Sequence, residues 1–334
     1  SSLPRLSEVY DAYGVEVNAL SVSEIFELYE RTGFLYPDKA ARLLPHLEQV
    51  RENWRRMLRG GDSLLYVLTA GDKKSGRASI AVWRTTHYGW TSQHLVSENN
   101  PVASRAVMLA GTAASILRGV DESHQNWFRP ENRFPSRVFG SLPSGGRVRI
   151  VPYDPSHEEA LSLIASVARG SIYVAAEQLT TDPELTEVDQ LYREVGLRRT
   201  RRVWLAYREY KDEPIGAAIV YRGPLGLNFS YIENRCDLLL HPTLPEADAV
   251  DVVASLLRAS SSAYEDFELD AIPVIAEEIA APALLQLGAE FLRHYCQGAW
   301  LQEGQLRCYR HVEGFYSRIL ARVEKHAMQP TLIA

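Results

Sequence analysis

Cysteine and methionine are scarce in this 334-residue chain, at three residues each. The three thiols, Cys236, Cys296 and Cys308, are too few and odd in number for a disulfide framework, which points to a reducing compartment, the cytoplasm. Long apolar runs are missing too: the longest are about ten residues, well short of a bilayer-spanning helix. No basic, apolar, small-residue leader opens the chain. It starts at Ser1 rather than Met, so we expect it to be processed, tagged or cut from something longer, with a neighbouring domain removed in the last case. Charge of one sign is lacking as well. Lys and Arg total 36 against 42 Asp and Glu, a net charge of −6, which argues against bulk nucleic-acid binding. There is no Gly-x-Ser-x-Gly, no His-Glu-x-x-His and no Rossmann fingerprint.

What is present is ordinary globular composition, 46% hydrophobic and 23% charged. The length suggests about two domains with room for a sizeable core. Charge divides unevenly: residues 1–146 carry 17 basic and 15 acidic groups, and residues 147–334 carry 19 and 27. Pro143, Ser144, Gly145 and Gly146 make the best linker in the sequence. We therefore expect one domain over 1–146 and a second over 147–334.

In the first half, Ser21 and Glu24 have the spacing of a capping box before a helix reaching Arg31. Leu47, Val50, Trp54 and Leu58 fall on one stripe of a helix over 45–59. Strands over 63–69 and 77–85 flank a turn at 71–76, and a third strand covers 91–97. Asn100 followed by Pro101 starts a helix running to about Arg118. A strand near 123–128 and a helix near 132–141 follow. The second half repeats the order. It reads as a strand over 147–153, a helix capped by Ser156 and Glu159 reaching Arg169, and a helix near 183–195. Strands over 200–209 and 215–221 flank a turn at 211–214. A strand over 235–240, a helix from Pro245 to about Ser260, a strand over 267–271 and a helix over 280–287 come next. Strands near 291–301 and 306–310 and an amphipathic helix over 312–326 close the chain. On that last helix, Phe315, Ile319, Arg322 and Val323 share a face, with Leu320 beside it. Each half is thus helix, helix, hairpin, strand, helix, strand, helix: an α/β chain with mixed sheets, each an antiparallel hairpin feeding a βαβ unit.

This order resembles the GNAT-type acyl-CoA N-acyltransferase fold, present twice, as in N-myristoyltransferases and the Fem-type aminoacyltransferases. The resemblance covers nearly the whole chain and rests on element order. It implies an acyl-CoA donor held between two splayed parallel strands, its pyrophosphate on the loop that opens the next helix. It also implies transfer of an acyl or aminoacyl group to an amine. The corresponding loop is Ser97 to Arg105, so Ser97, Asn99, Asn100, Ala103, Ser104 and Arg105 are the implied cofactor-binding residues. The loop departs from the family's pattern in having no glycine. The second half's loop, His241 to Asp248, has two prolines and two acids, wrong for a phosphate. The family's general-acid tyrosine would fall at Phe139 or, in the second half, Leu284, and neither can give a proton. No catalytic residue is assigned. These departures keep a second function open: a non-catalytic module derived from the fold, binding a phosphate-bearing ligand or a protein partner.

For that alternative, Arg198, Arg199, Arg201 and Arg202 are the most concentrated charge and could grip a phosphate. The other reading, a solvated strand start in an otherwise acidic half, carries the greater weight. Arg129, Arg133 and Arg137 lie beside Trp127 and Phe128, as a base clamp or as surface arginines around a buried tryptophan. His294, Cys296, Cys308 and His311 would come together only if two adjacent strands carried them, and no metal is expected. Glu98, Glu177, Glu233 and Asp237 are acids near the ends of central elements, candidates for a general base or for caps. Tyr88, Gly89 and Trp90 read as a turn with core aromatics, or as a groove lining.

Overall fold

The computed structural model describes residues 5–86, 89–118, 123–139, 187–208, 214–230, 232–265, 271–301 and 303–327. After helix α1 (Leu6–Tyr13) and a short strand β1 (Glu16–Val17), the chain enters α2 (Val22–Arg31). The Ser21 hydroxyl accepts the Glu24 N–H and the Glu24 carboxylate accepts the Ser21 N–H, the capping box its spacing predicts. Next come α3 (Pro37–Leu43) and α4 (Leu47–Arg59), which buries Val50, Trp54 and Met57 on one stripe. The stretch from Gly61 to Ser63 is a 3-10 turn, so the strand expected from Ser63 starts two residues later.

Strands β2 (Leu65–Asp72), β3 (Gly76–Thr86) and β4 (Gly89–Ser97) pair antiparallel in succession. The β2–β3 turn needs glycine. Gly71 and Gly76 both have φ near +80°, and a Cβ on Gly71 would lie 2.2 Å from the Gly76 carbonyl oxygen. Helix α5 (Pro101–Arg118) crosses back to β5 (Ser123–Phe128), which pairs parallel to β4, and α6 (Arg133–Phe139) follows. The sheet has the order β1-β2-β3-β4-β5-β10, its last strand being β10 (Cys296–Leu301).

The second sheet repeats this plan. After α7 (Glu187–Glu194), strands β6 (Thr200–Tyr207), β7 (Pro214–Arg222) and β8 (Cys236–Leu240) pair antiparallel in turn. Helix α8 (Glu246–Ser260) leads to β9 (Val274–Ala276), parallel to β8. Helix α9 (Ala281–Gln286) follows. Both sheets are therefore mixed, and the chain is α/β. The parallel partner of β8 lies at 274–276 rather than at the expected 267–271, of which Phe267–Asp270 fall outside the described residues. The strand over 147–153, the helix capped by Ser156 and Glu159, and the 143–146 linker also lie outside them.

Helix α10 (Glu303–Ala327) corrects two expectations. The strand near 306–310 does not exist; that stretch is the helix's second turn. The reason is its spacing: Gln305, Cys308, Val312 and Tyr316 are all buried and recur every three or four residues, so the helical stripe begins well before Val312. The stripe drawn through Phe315, Ile319 and Val323 is not the deeply buried one, and Val323 is half exposed.

The chain divides into two compact units, one of residues 1–38, 61–146 and 298–334, the other of 39–60 and 147–297. One change of unit falls between Gly146 and Arg147, while residues 39–60 group with the second unit and 298–334 with the first. In the first unit, α5 lies on the sheet and is covered by α1 and α10, so most of its faces are buried. The core includes Leu68, Val82, Trp90, Val107, Leu109 and Val312. In the second unit, Val220, Leu238 and Leu240 pack with Val253 and Leu256 of α8. Here α4 is bound by direct ties to the segment after β7. The Trp54 indole N–H donates to the Gly226 carbonyl at 2.8 Å, the Asn53 amide to the Leu225 carbonyl at 2.9 Å, and the Trp54 ring meets Phe229.

Candidate functional site

The parallel strands of the first unit pair only over Gly89–Ser123, Trp90–His124 and Thr91–Gln125. Beyond Thr91, β4 runs on for six residues and β5 for three with no further rung between them. On its other side β4 is irregular as well. Ser79 pairs with Val96 and Ala81 with Gln93, so His94 and Leu95 stand opposite the single residue Ile80. This is a β-bulge, and His94 takes a φ of +57° to make it. A bulge bends the strand that carries it, and here it lies just past the last rung.

One side chain bridges this opening. The Gln93 amide donates to the Trp127 carbonyl at 2.9 Å, one side-chain bond where the ladder has stopped. His94 is buried among Tyr29, Phe34 and Trp83, with ring centroids 5.6, 5.1 and 5.7 Å away. On the middle rung, opposite Trp90, His124 joins two serines. Its Nε2 meets the Ser92 hydroxyl, and its Nδ1 lies 3.0 Å from the Ser115 hydroxyl of α5. Burial pushes the His124 imidazole down to a pKa of about 4, so it is neutral at physiological pH.

The loop after β4 is tied into the structure by its own side chains. The Glu98 carboxylate accepts the Arg77 N–H and the Arg31 guanidinium, each at 2.9 Å. The Arg77 bond, with Arg31 adding to it, holds this carboxyl below its usual range. Glu98 is therefore a structural tie between α2, β3 and the loop. Asn99 takes a φ of +57°. Asn100 caps α5: its side-chain oxygen accepts the Ala103 N–H at 3.0 Å, and its amide donates to the Ser75 and Gly76 carbonyls. The Ser97 hydroxyl accepts the Asn100 N–H, and the Ser104 hydroxyl donates to the Asn100 carbonyl. The structure thus brings Ser97, Asn100, Ala103 and Ser104 together, around a helix end whose Ala103 N–H is already taken by Asn100. Arg105 lies near Tyr309, whose hydroxyl meets that of Tyr13.

The arginine run of the second unit is split by strand alternation. Arg201 is buried and holds Asp189 of α7 through two bonds of 2.8 and 2.6 Å, both side chains being 2% exposed. Arg199 is buried with its guanidinium 4.9 Å from the Tyr192 ring. Arg198 and Arg202 are exposed. The four guanidiniums therefore do not share one face. Nearby, Arg235 holds Asp237 at 2.7 and 3.1 Å, and burial pushes the Asp237 carboxyl up despite that partner. The loop before α8 closes on itself through His241 and Thr243, with 2.7 Å between Nδ1 and the hydroxyl.

The remaining candidates disperse. Arg129 stacks 5.5 Å from the Tyr36 ring, while Arg133 and Arg137 lie on α6. Phe139 packs against Phe128, and Leu284 against the second core. Trp90 is a core residue, and Tyr88 lies outside the described residues, as does Glu177. Glu233 is buried in a 3-10 turn, where its carbonyl accepts the Gly223 N–H. Cys308 and His311 sit on α10, so the two-strand arrangement a shared metal would need does not form. Among the described residues no group of three His, Cys, Asp or Glu is placed to hold a metal. Nor is any helix among them long and apolar enough to cross a membrane. Sequence reasoning missed Ser92, Gln93, His94, Ser115 and His124. The one available signal was the polar run Ser123–Asn126 in an otherwise apolar setting; nothing local marks Ser115.

No protein-family model matches the chain. No curated protein matches it either. Among solved structures, a Drosophila protein determined as a structural-genomics target aligns over 86% of this chain and 98% of its own, at 13% identity and a TM-score of 0.34.

Proposed function

We propose that the protein is an acyl-transfer enzyme built from two GNAT-like units, passing an acyl or aminoacyl group from a CoA-type donor to an amine. The observation that carries this reading is the opening of β4 and β5 after three rungs, beside the bulge at His94. Main chain that is not paired across such an opening can bind an extended, amide-bearing ligand as a neighbouring strand would. A CoA-type thioester has such an arm. Catalysis would draw on orientation of donor and amine and on a main-chain N–H of β4 near the reacting carbonyl. The donor's phosphates are the less well-provided part, because Asn100 already caps α5. Arg105, in the first turns of that helix, is the cation we assign to them. Calorimetric titration with acetyl-CoA and then free CoA tests the reading. Micromolar affinity is expected, about −8 kcal/mol, and it should be lost in Arg105→Glu. Absence of heat at millimolar donor overturns it.

The Asn100 cap, with Phe139 and Leu284 at the places of an acid, favours a second reading, a non-catalytic module for a phosphate-bearing ligand or a protein partner. Only Arg198 and Arg202 of the arginine run face outward for that role. A phosphate-bearing ligand that binds without CoA competition, and is lost in Arg198→Glu with Arg202→Glu, would select it.

A further inference from the structure

Three residues at the mouth of the strand opening stand in the order of a nucleophile, a base and an orienting group. Ser92 lies on β4, one residue past the last rung, at Thr91. Its hydroxyl meets Nε2 of His124 on β5, and Nδ1 of His124 lies 3.0 Å from the Ser115 hydroxyl on α5. Exposure falls along the chain of contacts: Ser92 is 8% exposed, His124 7% and Ser115 1%. Ser115 is the most deeply buried of the three, and Ser92 lies on the part of β4 that has no rung to β5. A neutral imidazole with its proton on Nδ1, donated to Ser115, turns the Nε2 lone pair to the Ser92 O–H. That is the tautomer a general base needs. His124 is held neutral by burial. Each partner comes from a different element, so the opening, the crossover helix and the relay are positioned together.

We infer that Ser92, His124 and Ser115 form a nucleophile relay that receives the acyl group of a thioester donor as an ester on Ser92 Oγ. The inference rests on the acyl-transfer reading for its donor. Ser92 Oγ adds to the acyl carbonyl carbon while its proton passes to His124 Nε2. The carbon–sulfur bond breaks, and His124 returns that proton to the leaving thiolate, which departs as a thiol. The acceptor amine then attacks the ester carbon. The carbon–oxygen bond breaks, and one amine proton passes through His124 to Ser92 Oγ, which restores the hydroxyl. Ser115 is a positioning residue that fixes the imidazole.

The test treats the full chain with a fluorophosphonate probe and, separately, with p-nitrophenyl acetate, followed by intact mass and peptide mapping. One label on Ser92 is expected from each reagent. Ser92→Ala should abolish it. His124→Gln should slow labelling by about 100-fold, the usual reach of a general base, and Ser115→Ala by about tenfold. Folding of each variant is checked by circular dichroism, and mapping on the unmodified protein decides the matter should a variant not fold. No label on the folded protein, or a label that survives Ser92→Ala, overturns the relay. Labelled Ser92 without acetyl-CoA binding would keep the relay and overturn the donor; acetyl-CoA binding without label would do the reverse.

Discussion

Gln93 and Trp127 are joined by a side-chain hydrogen bond of 2.9 Å at the place where the main-chain ladder between β4 and β5 has already ended. The Gln93 amide does the work of a missing rung, and it does so in the opening that the acyl-transfer reading assigns to the donor. A donor arm entering there must displace it. Gln93→Ala removes that obstacle along with one hydrogen bond worth about 1 kcal/mol. We expect a fall of about 1 kcal/mol in urea-melt stability and a rise of up to about tenfold in acetyl-CoA affinity. Weaker binding in this variant would mean that Gln93 holds the donor rather than guarding the opening.

The relay histidine gives a pH signature. The His124 pKa falls from 6.5 in the unfolded chain to about 4 in the fold, through burial. Between those values the unfolded state binds more protons, so stability is full above about pH 6.5 and declines as pH falls towards 4. From pH 7 to pH 5 the loss from this one group is about 2 kcal/mol. Urea melts of the parent protein and of His124→Gln at both pH values isolate it from other carboxylates and histidines. The parent should lose about 2 kcal/mol more than the variant. Equal losses would mean that His124 titrates normally and is not buried as described.

In the second unit, Arg201 and Asp189 make a buried, doubly bonded pair. Removing Asp189 takes away the doubly bonded partner of a buried guanidinium, and breaking a buried pair costs about 3–5 kcal/mol. Asp189→Ala should therefore be among the most destabilising single changes in this unit. Arg198→Glu and Arg202→Glu, at exposed neighbours, should stay within about 0.5 kcal/mol. Thermal melts of the three variants check this. Comparable losses in all three would mean that strand alternation does not sort the four arginines.

The capping box at Ser21, the Asn100–Pro101 helix start and the hairpin at Gly71–Gly76 were legible in sequence because each is a local rule with a local cause. The repeated order of elements was legible for the same reason. The content of the opening was not. A bulge at His94 depends on which β3 residue faces it, and the meeting of Ser92, Ser115 and His124 depends on a parallel pairing across a crossover helix. Neither leaves a spacing to read. The arginine run was misleading because charge density in sequence carries no face. Alternation over residues 198–202, just before and into β6, turns Arg199 and Arg201 inward, to Tyr192 and Asp189 of the preceding helix, and only that pairing shows it. Likewise α10 read as a strand at 306–310 because Leu306, Cys308 and Arg310 alternate, although Gln305, Cys308 and Val312 have helical spacing. Burial of Gln305 settles the choice, and a polar residue gives no hint of that.

The close packing of α4 on the segment after β7, both within the second unit, can be tested at Gly226. Gly226 has a φ of +74°, and a Cβ placed on it would lie 2.3 Å from a methyl of Val50. Gly226→Ala thus meets two costs, backbone strain of about 1 kcal/mol or more and a clash that a packed helix cannot relieve cheaply. We expect a loss of about 3 kcal/mol in total. Val50→Ala alone removes buried methyl groups and should cost about 1–2 kcal/mol. Combined, the two should not add. With Val50 shortened, the two closest contacts, at 2.3 and 2.4 Å, are gone and only its Cβ, at 2.9 Å, still crowds the new methyl, so the double variant should be about 1–2 kcal/mol more stable than the sum of the singles predicts. Strict additivity in urea melts would mean that α4 does not pack on the Leu225–Phe229 segment, and that the grouping of residues 39–60 with the second unit is wrong.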